Sequence, residues 1–319
     1  MIQVVKEEKI AYQSFVRMVC TMLQKRLGEG YDLRLHKVTK NNSLELDSLV
    51  VLRKGVTYAP NIYLLSYYES YLEGIEVTDI VDRLYNLYIS NTKPVLDRDF
   101  SYIFDEVKNN ITYRLISYER NKKLLTQVPH IKYLDLAITF HCLINEDEDG
   151  IGTIRITNGH INSWDISLMQ LLEFARINTC ALFPATIKSM EDTIRGIVQD
   201  TPFDDGANIS DEEFELLMKQ SYYNDNPPMY VLTNKQGING ASCILYDDLI
   251  EEFADEIQSD LFILPSSIHE LILIPTKNKK NSNSLKKMVM EVNLTQVAPE
   301  DVLSDNVYYY NRKQNAIIL

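Results

Sequence analysis

The densest group of chemically able side chains in this chain is Ser266, Ser267, His269 and Glu270. It lies within the stretch ILYDDLIEEFADEIQSDLFILPSSIHELILIP (244–275). A hydroxyl near an imidazole and a carboxylate is the material of nucleophilic catalysis: serine attacks, histidine takes its proton and the acid orients the histidine. Ser267, His269 and Glu270 would fill those roles in a hydrolase-like enzyme. Their adjacency argues against it, because such triads are assembled from distant positions, and no GxSxG elbow is present. A zinc peptidase helix needs HExxH. Here His269-Glu270 runs into Leu271-Ile272-Leu273, so the second histidine is missing. The plainer reading is a tight turn whose Ser and Glu bond the backbone while His269 is partly buried. Ser266, Ser267, His269 and Glu270 are thus the binding candidates, and the last three the catalytic ones.

The remaining chemistry is sparse. His36, His130, His141 and His160 have no ligand spacing to one another or to Cys20, Cys142, Cys180 and Cys243, and no CxxC pair exists. No metal or other cofactor is expected. The four cysteines read as buried free thiols of a reducing, cytoplasmic compartment. Gly150-Ile151-Gly152 and Gly237 with Gly240 lack the glycine pattern and following Lys-Ser/Thr of a phosphate loop. Asn145 to Gly150 lacks the alternating ligands of a calcium loop and reads as a solvated hairpin turn. The net charge is −13, which argues against nucleic acid and anionic membrane surfaces as partners. It leaves room for a protein partner; the acidic helix face of Asp248, Glu251, Glu252, Asp255 and Glu256 reads as a solvated face, with docking of a basic partner as the alternative. Lys277, Lys279, Lys280, Lys286 and Lys287 form the one local basic tract. The N-terminus has no signal-peptide core, and no apolar run reaches membrane-span length.

These residues need a scaffold of 319 residues, 45% of them hydrophobic, which suits one large domain or two modest ones. Apolar spacing predicts a helix over 7–27 stopped by Gly28 and Gly30. Strands follow at 31–38 and 46–54, joined by a turn at Asn41-Asn42-Ser43. Pro60 fits the start of a helix carrying Tyr63, Tyr67 and Tyr71, and Thr78 caps the next. A short helix near 100–107 and a strand near 111–118 precede a boundary at Arg120 to Lys123. Beyond it come strands at 133–144 and 151–157. Ser167 with Gln170 forms a capping box opening a helix at 168. Helices are expected at 188–199 and 210–220, strands at 229–233 and 241–246, a helix after Ser284, and a terminal hairpin around 311–315.

Two segments look alike. Glu173-Phe174-Ala175 matches Glu252-Phe253-Ala254, and Pro184-Ala185-Thr186-Ile187 matches Pro265-Ser266-Ser267-Ile268, with a two-residue gap between the matches. The reading is a β-β-α-β unit used twice, at about 133–200 and 229–275. The expected fold is α+β, with antiparallel sheets and helices packed on them. It comprises an N-terminal α+β region (1–120) and a C-terminal one (121–319) holding both units.

LFILPSSIHELILIP, with Met290-Glu291-Val292-Asn293, Val302 to Tyr310, Val38 to Asn42 and Pro60 to Leu64, resembles an uncharacterised family of anaerobic Firmicutes known as a domain of unknown function. That resemblance implies a cytosolic bacterial protein, plausibly cargo of mobile elements, and brings no activity, cofactor or catalytic residue. The leading expectation is a soluble, non-enzymatic binding or protein-interaction module; the alternative is the hydrolase around His269 and Glu270.

Overall fold

The computed structural model describes residues 9–53, 61–90, 102–147, 150–200, 228–276 and 282–319. The chain divides into two compact units: residues up to 101 except 41–43, and residues 41–43 with 102–319.

In the first unit, helix α1 (Tyr12–Leu27) buries Phe15, Val16, Val19 and Leu23, the near-helical spacing that marks an amphipathic helix. Gly28 ends it at φ 82, a left-handed backbone angle that glycine alone adopts cheaply. Strands β1 (Tyr31–Thr39), β2 (Glu45–Arg53) and β3 (Ile62–Tyr63) form an antiparallel sheet in that order. Helices α2 (Leu65–Leu72) and α3 (Val77–Ser90) follow. Leu49, Leu64, Ile80 and Leu84 join the α1 residues in its core. Each such side chain contributes about 1.5–3 kcal/mol by leaving water. The helix expected from Pro60 instead begins at Leu65. Ile62 and Tyr63 first pair with Leu49 and Ser48, so local pairing overrides the tyrosine periodicity. Tyr67, Tyr68 and Tyr71 pack against the core, and Tyr68 lies 5.2 Å from the Phe15 ring. Tyr67 and Tyr71 of the expected row thus serve the core.

The second unit begins with α4 (Phe104–Val107), β4 (Ile111–Ser117), α5 (Lys122–Leu125), β5 (His130–Tyr133), β6 (Leu136–Asp147) and β7 (Gly150–Arg155). β6 pairs antiparallel with β4 along one edge and with β5 and then β7 along the other. Because β4 pairs with β6, it belongs here, and the expected boundary near Arg120 falls inside this unit.

Next come α6 (Asn158–Trp164), α7 (Leu168–Leu182), β8 (Ala185–Ser189), α8 (Met190–Asp200), β9 (Tyr230–Asn234), a 3-10 turn (Gly240–Leu245), α9 (Leu249–Glu256), β10 (Leu261–Leu264), β11 (Leu271–Pro275), α10 (Ser282–Thr295), β12 (Tyr308–Asn311) and β13 (Ala316–Ile318). The Ser167–Gln170 capping box forms as expected. A second sheet runs β13-β12-β10-β11-β9-β8, antiparallel throughout. One core, with Tyr113, Ile138, Phe140, Phe253, Leu261, Ile263, Leu273 and Tyr308, joins residues of both sheets. The α+β expectation with antiparallel sheets holds. The expected helix at 210–220 and most of the basic tract lie outside the described residues.

The proposed duplication is not reproduced. Pro184 precedes a strand, whereas Pro265 follows one. Residues 240–245, expected as part of a strand, form a buried 3-10 turn. The physical reason lies in β4. The Leu115 amide on its outer edge donates to Ser242 Oγ at 3.2 Å, and the Tyr113 amide to Thr179 Oγ1 of α7 at 3.0 Å. Side chains from a compact turn and a helix thus satisfy backbone groups that another strand would otherwise have to pair.

Candidate functional site

The turn 265–270 links β10 to β11 and is held by backbone. The Ile268 amide donates to Asp301 O at 2.8 Å, Leu303 to Ser266 O at 3.0 Å and Ser304 to Pro265 O at 2.9 Å. Ser267 faces Val302 as an antiparallel bridge. The turn therefore packs on the segment that leads into β12.

Within it, each candidate side chain has a definite place. Ser267 is buried, and its Oγ accepts the His269 amide at 3.0 Å. That is a local Ser turn, which satisfies a backbone donor. The His269 ring accepts the Asn239 amide at Nδ1 (3.3 Å), and its Nε2 lies 3.4 Å from Asp301 Oδ1. Its carbonyl accepts from Thr233 Oγ1 at 2.8 Å. His269 thus fastens the 239 loop to the 301 loop. Gly240 is required here because a Cβ would meet His269 O at 2.5 Å and Asn234 N at 2.7 Å. Glu270 is exposed and Ser266 half-buried. A nucleophile must be hydrogen-bonded to its base and the base to its orienter. The His269 ring nitrogens face the Asn239 amide and Asp301 rather than Ser267 Oγ, and the acid beside the ring is Asp301 rather than Glu270.

Around this turn the structure gathers residues that sequence spacing did not single out as a site. Asp135, in the turn between β5 and β6, accepts from Tyr308 Oη at 2.5 Å, Ser304 Oγ at 2.6 Å and Asn306 Nδ2 at 2.9 Å. Asn293 of α10 donates from Nδ2 to Ser304 O at 2.9 Å and to Asp305 Oδ1 at 2.8 Å. Asp305 also pairs with Arg120 at 2.8 Å, and these contacts hold its carboxyl below the usual carboxylate range against the opposing effect of burial. Asn121, fully buried, bonds Asn42 twice, and Asn42 Nδ2 donates to Pro299 O and Val302 O. Segment 299–308 is therefore the hub of a polar network in the second unit. The one signal in the sequence was that the stretches carrying the family resemblance contained Asn42, Asn293 and 302–310.

Beside the hub lies an open groove of about 630 Å³ along α10. Met290, Leu294, Val297 and Pro299 supply its apolar lining, and Asn293, Arg120 and Asp305 its polar one. Leu294 is 84% exposed on the last turn of the helix. Asn293 is 7% exposed, and its Oδ1 has no hydrogen-bond partner among the described residues. The amide orientation is secure, since both neighbours of Nδ2 are acceptors.

A profile described as "Family of unknown function (DUF5688)" matches residues 12–312. The chain belongs to this family. The DUF5688 match spans both units, including the turn, the hub and the groove. No curated protein and no solved structure matches the chain.

The other candidates are accounted for locally. On α9, Asp255 pairs with Arg312 at 2.7 Å, and Glu251 accepts from Asn315 at 2.6 Å. His160 serves as the third helical residue of the α6 capping box. His130 Nδ1 lies 3.1 Å from Val128 O. Cys142 and Cys243 are buried free thiols as expected, while Cys20 and Cys180 are half-buried. Among the described residues no group of three His, Cys, Asp or Glu side chains is arranged to hold a metal ion. No described helix is long and apolar enough to cross a membrane.

Proposed function

We propose that this protein is a non-enzymatic binding module that receives a segment of a partner protein in the groove along α10. The observation that carries the reading is Leu294, at 84% the most exposed large apolar side chain of the described residues, standing with Met290 on a groove whose other lining includes Arg120 and Asp305. An exposed apolar patch rimmed by polar groups marks an interaction site. A peptide laid along α10 covers Leu294 and Met290 with an apolar side chain. The groove volume is in the range of sites that take small ligands and peptide side chains.

The hydrolase alternative draws on the contact between His269 and Asp301. It needs a hydroxyl bonded to a ring nitrogen, and the His269 ring nitrogens face the Asn239 amide and Asp301 instead. The binding reading requires no such rearrangement.

The test is site-specific photocrosslinking in the native host. A photoreactive phenylalanine replaces Leu294 in one variant and Ile177, which is 66% exposed on α7, in another. A discrete crosslinked protein at 294, absent at 177 and lost with Met290→Lys, supports the groove. Identical crosslinking at both positions, or none at 294, refutes it.

A further inference from the structure

We infer that this chain self-associates through the outer edge of β1, where a second copy pairs antiparallel to it across a two-fold axis at Leu33. Among the described residues β1 (Tyr31–Thr39) pairs only with β2, so it forms the edge of its sheet. The edge carries neither a proline nor a break in register, and it is exposed at Asp32 and from Arg34 to Lys37. Such an edge is a template for another strand unless the sequence guards it.

The hairpin fixes which backbone groups point outward. The Lys40 amide donates to Leu44 O at 2.8 Å, continuing the register that sets Thr39 against Glu45. Antiparallel strands bond through alternate residues. Even-numbered residues of β1 therefore bond β2, while Tyr31, Leu33, Leu35 and Lys37 turn their N–H and C=O groups outward. Tyr31 O accepts from Gln24 Nε2 at 3.2 Å and keeps a second lone pair.

Edges are commonly guarded by charges that repel a second copy. β1 carries both signs, spaced to attract one. With the axis at Leu33, Asp32 of each copy lies opposite Arg34 of the other. By the same parity these are non-hydrogen-bonded pairs, whose Cα atoms approach to about 4.5 Å and whose side chains lie closest. Asp32 and Arg34 already pair within the chain at 2.8 Å, with their side chains 58% and 66% exposed. Two copies thus make an alternating quartet of charges. On the other face, Tyr31 comes opposite Leu35, and Leu33 opposite itself. That covers Leu35, which the chain alone leaves 46% exposed. An axis one residue to either side sets Asp32 or Arg34 against itself, and an axis at Leu35 sets Arg34 against His36, so the charges select the register. This edge belongs to the first unit and does not depend on the reading given for the α10 groove.

The experiment is sedimentation equilibrium of the full chain, in which the wild type is expected to dimerise. Asp32→Arg and Arg34→Asp, each alone, set like charges opposite each other and are expected to weaken the dimer at least about tenfold. Both side chains are mostly exposed, so neither change threatens the fold. An equimolar mixture of the two variants is expected to recover the dimer, because each supplies the charge that the other lacks. That recovery requires contact between chains and cannot come from the pair within one chain. A wild type that stays monomeric up to about 1 mM overturns the proposal. So does a dimer that neither substitution weakens, or a mixture that associates no better than its components.

Discussion

Replacing Asp135 by Asn tests whether the polar network around 299–308 is the brace that the geometry describes. The carboxylate accepts three hydrogen bonds, from Tyr308, Ser304 and Asn306. A hydrogen bond to a charged group contributes about 1.5–3 kcal/mol net. The asparagine keeps one oxygen and so one or two of the three bonds, while its amide group turns a donor toward a donor. Allowing for partial re-pairing, the second unit is expected to lose about 3 kcal/mol, a large part of the roughly 5–15 kcal/mol by which proteins are stable. The assay is urea unfolding followed by fluorescence of Trp164, the single tryptophan. It sits in the second unit, with Nε1 donating to Tyr102 O at 2.9 Å. The midpoint should fall with the slope unchanged. Tyr308→Phe removes one donor and leaves two, so it should cost about 1–2 kcal/mol. The double variant should cost less than the sum, because both changes break the same bond. A loss below about 0.5 kcal/mol for Asp135→Asn would refute the brace, since that is the scale of an indifferent surface substitution.

Three further outcomes are expected. Gly240→Ala should destabilise the second unit by about 2–3 kcal/mol, because its Cβ would press on two backbone atoms, His269 O and Asn234 N; wild-type stability in the same urea titration would sink that account. His141 has a pKa well below the ordinary histidine value, through burial first and then the charges of Arg114 and Arg155. The unfolded chain therefore takes up a proton below about pH 6.5 that the native state refuses. Stability present above that pH is lost as pH falls, by up to about 1.4 kcal/mol per pH unit. His141→Gln should flatten this loss between about pH 7 and pH 5, and an unaltered slope contradicts it. Burial pushes the Cys142 thiol up to about 11 and Cys243 up to about 12. At pH 8 Cys142 should therefore react with a thiol-specific disulfide reagent roughly 100-fold, and Cys243 roughly 1,000-fold, more slowly in the native protein than in urea. Equal rates in the two states would show that the thiols are neither buried nor held protonated.

How much was legible beforehand follows the range of the forces involved. Period and capping are local, so α1 with Phe15, Val19 and Leu23, the Ser167–Gln170 box of α7 and the terminal β12–β13 hairpin could be read from neighbouring residues. The α+β class followed from the same signals. Strand partnership is not local. Residues 241–246 carry a strand-like pattern, yet Ser242 is needed as a cap for β4, more than a hundred positions away in sequence, and a 3-10 turn presents it. The two Pro-containing segments look alike in sequence, but one enters a strand and the other leaves one, because each answers to a different sheet neighbour.

The candidate site divides in the same way. The sequence by itself determined that Ser266, Ser267, His269 and Glu270 sit together in a tight turn, and that a polar turn there could satisfy its own backbone. Tertiary structure alone decided what that turn touches. Folding brings Asp301 to the His269 ring and collects Asp135, Asn293, Arg120 and Asn42 around one loop. Buried hydrogen bonds find partners wherever the chain passes close enough, however far apart those partners lie along it. Spacing reveals which residues can share a helix face or a turn, but only the packed fold shows which polar atoms are satisfied and which, like Asn293 Oδ1, are left open.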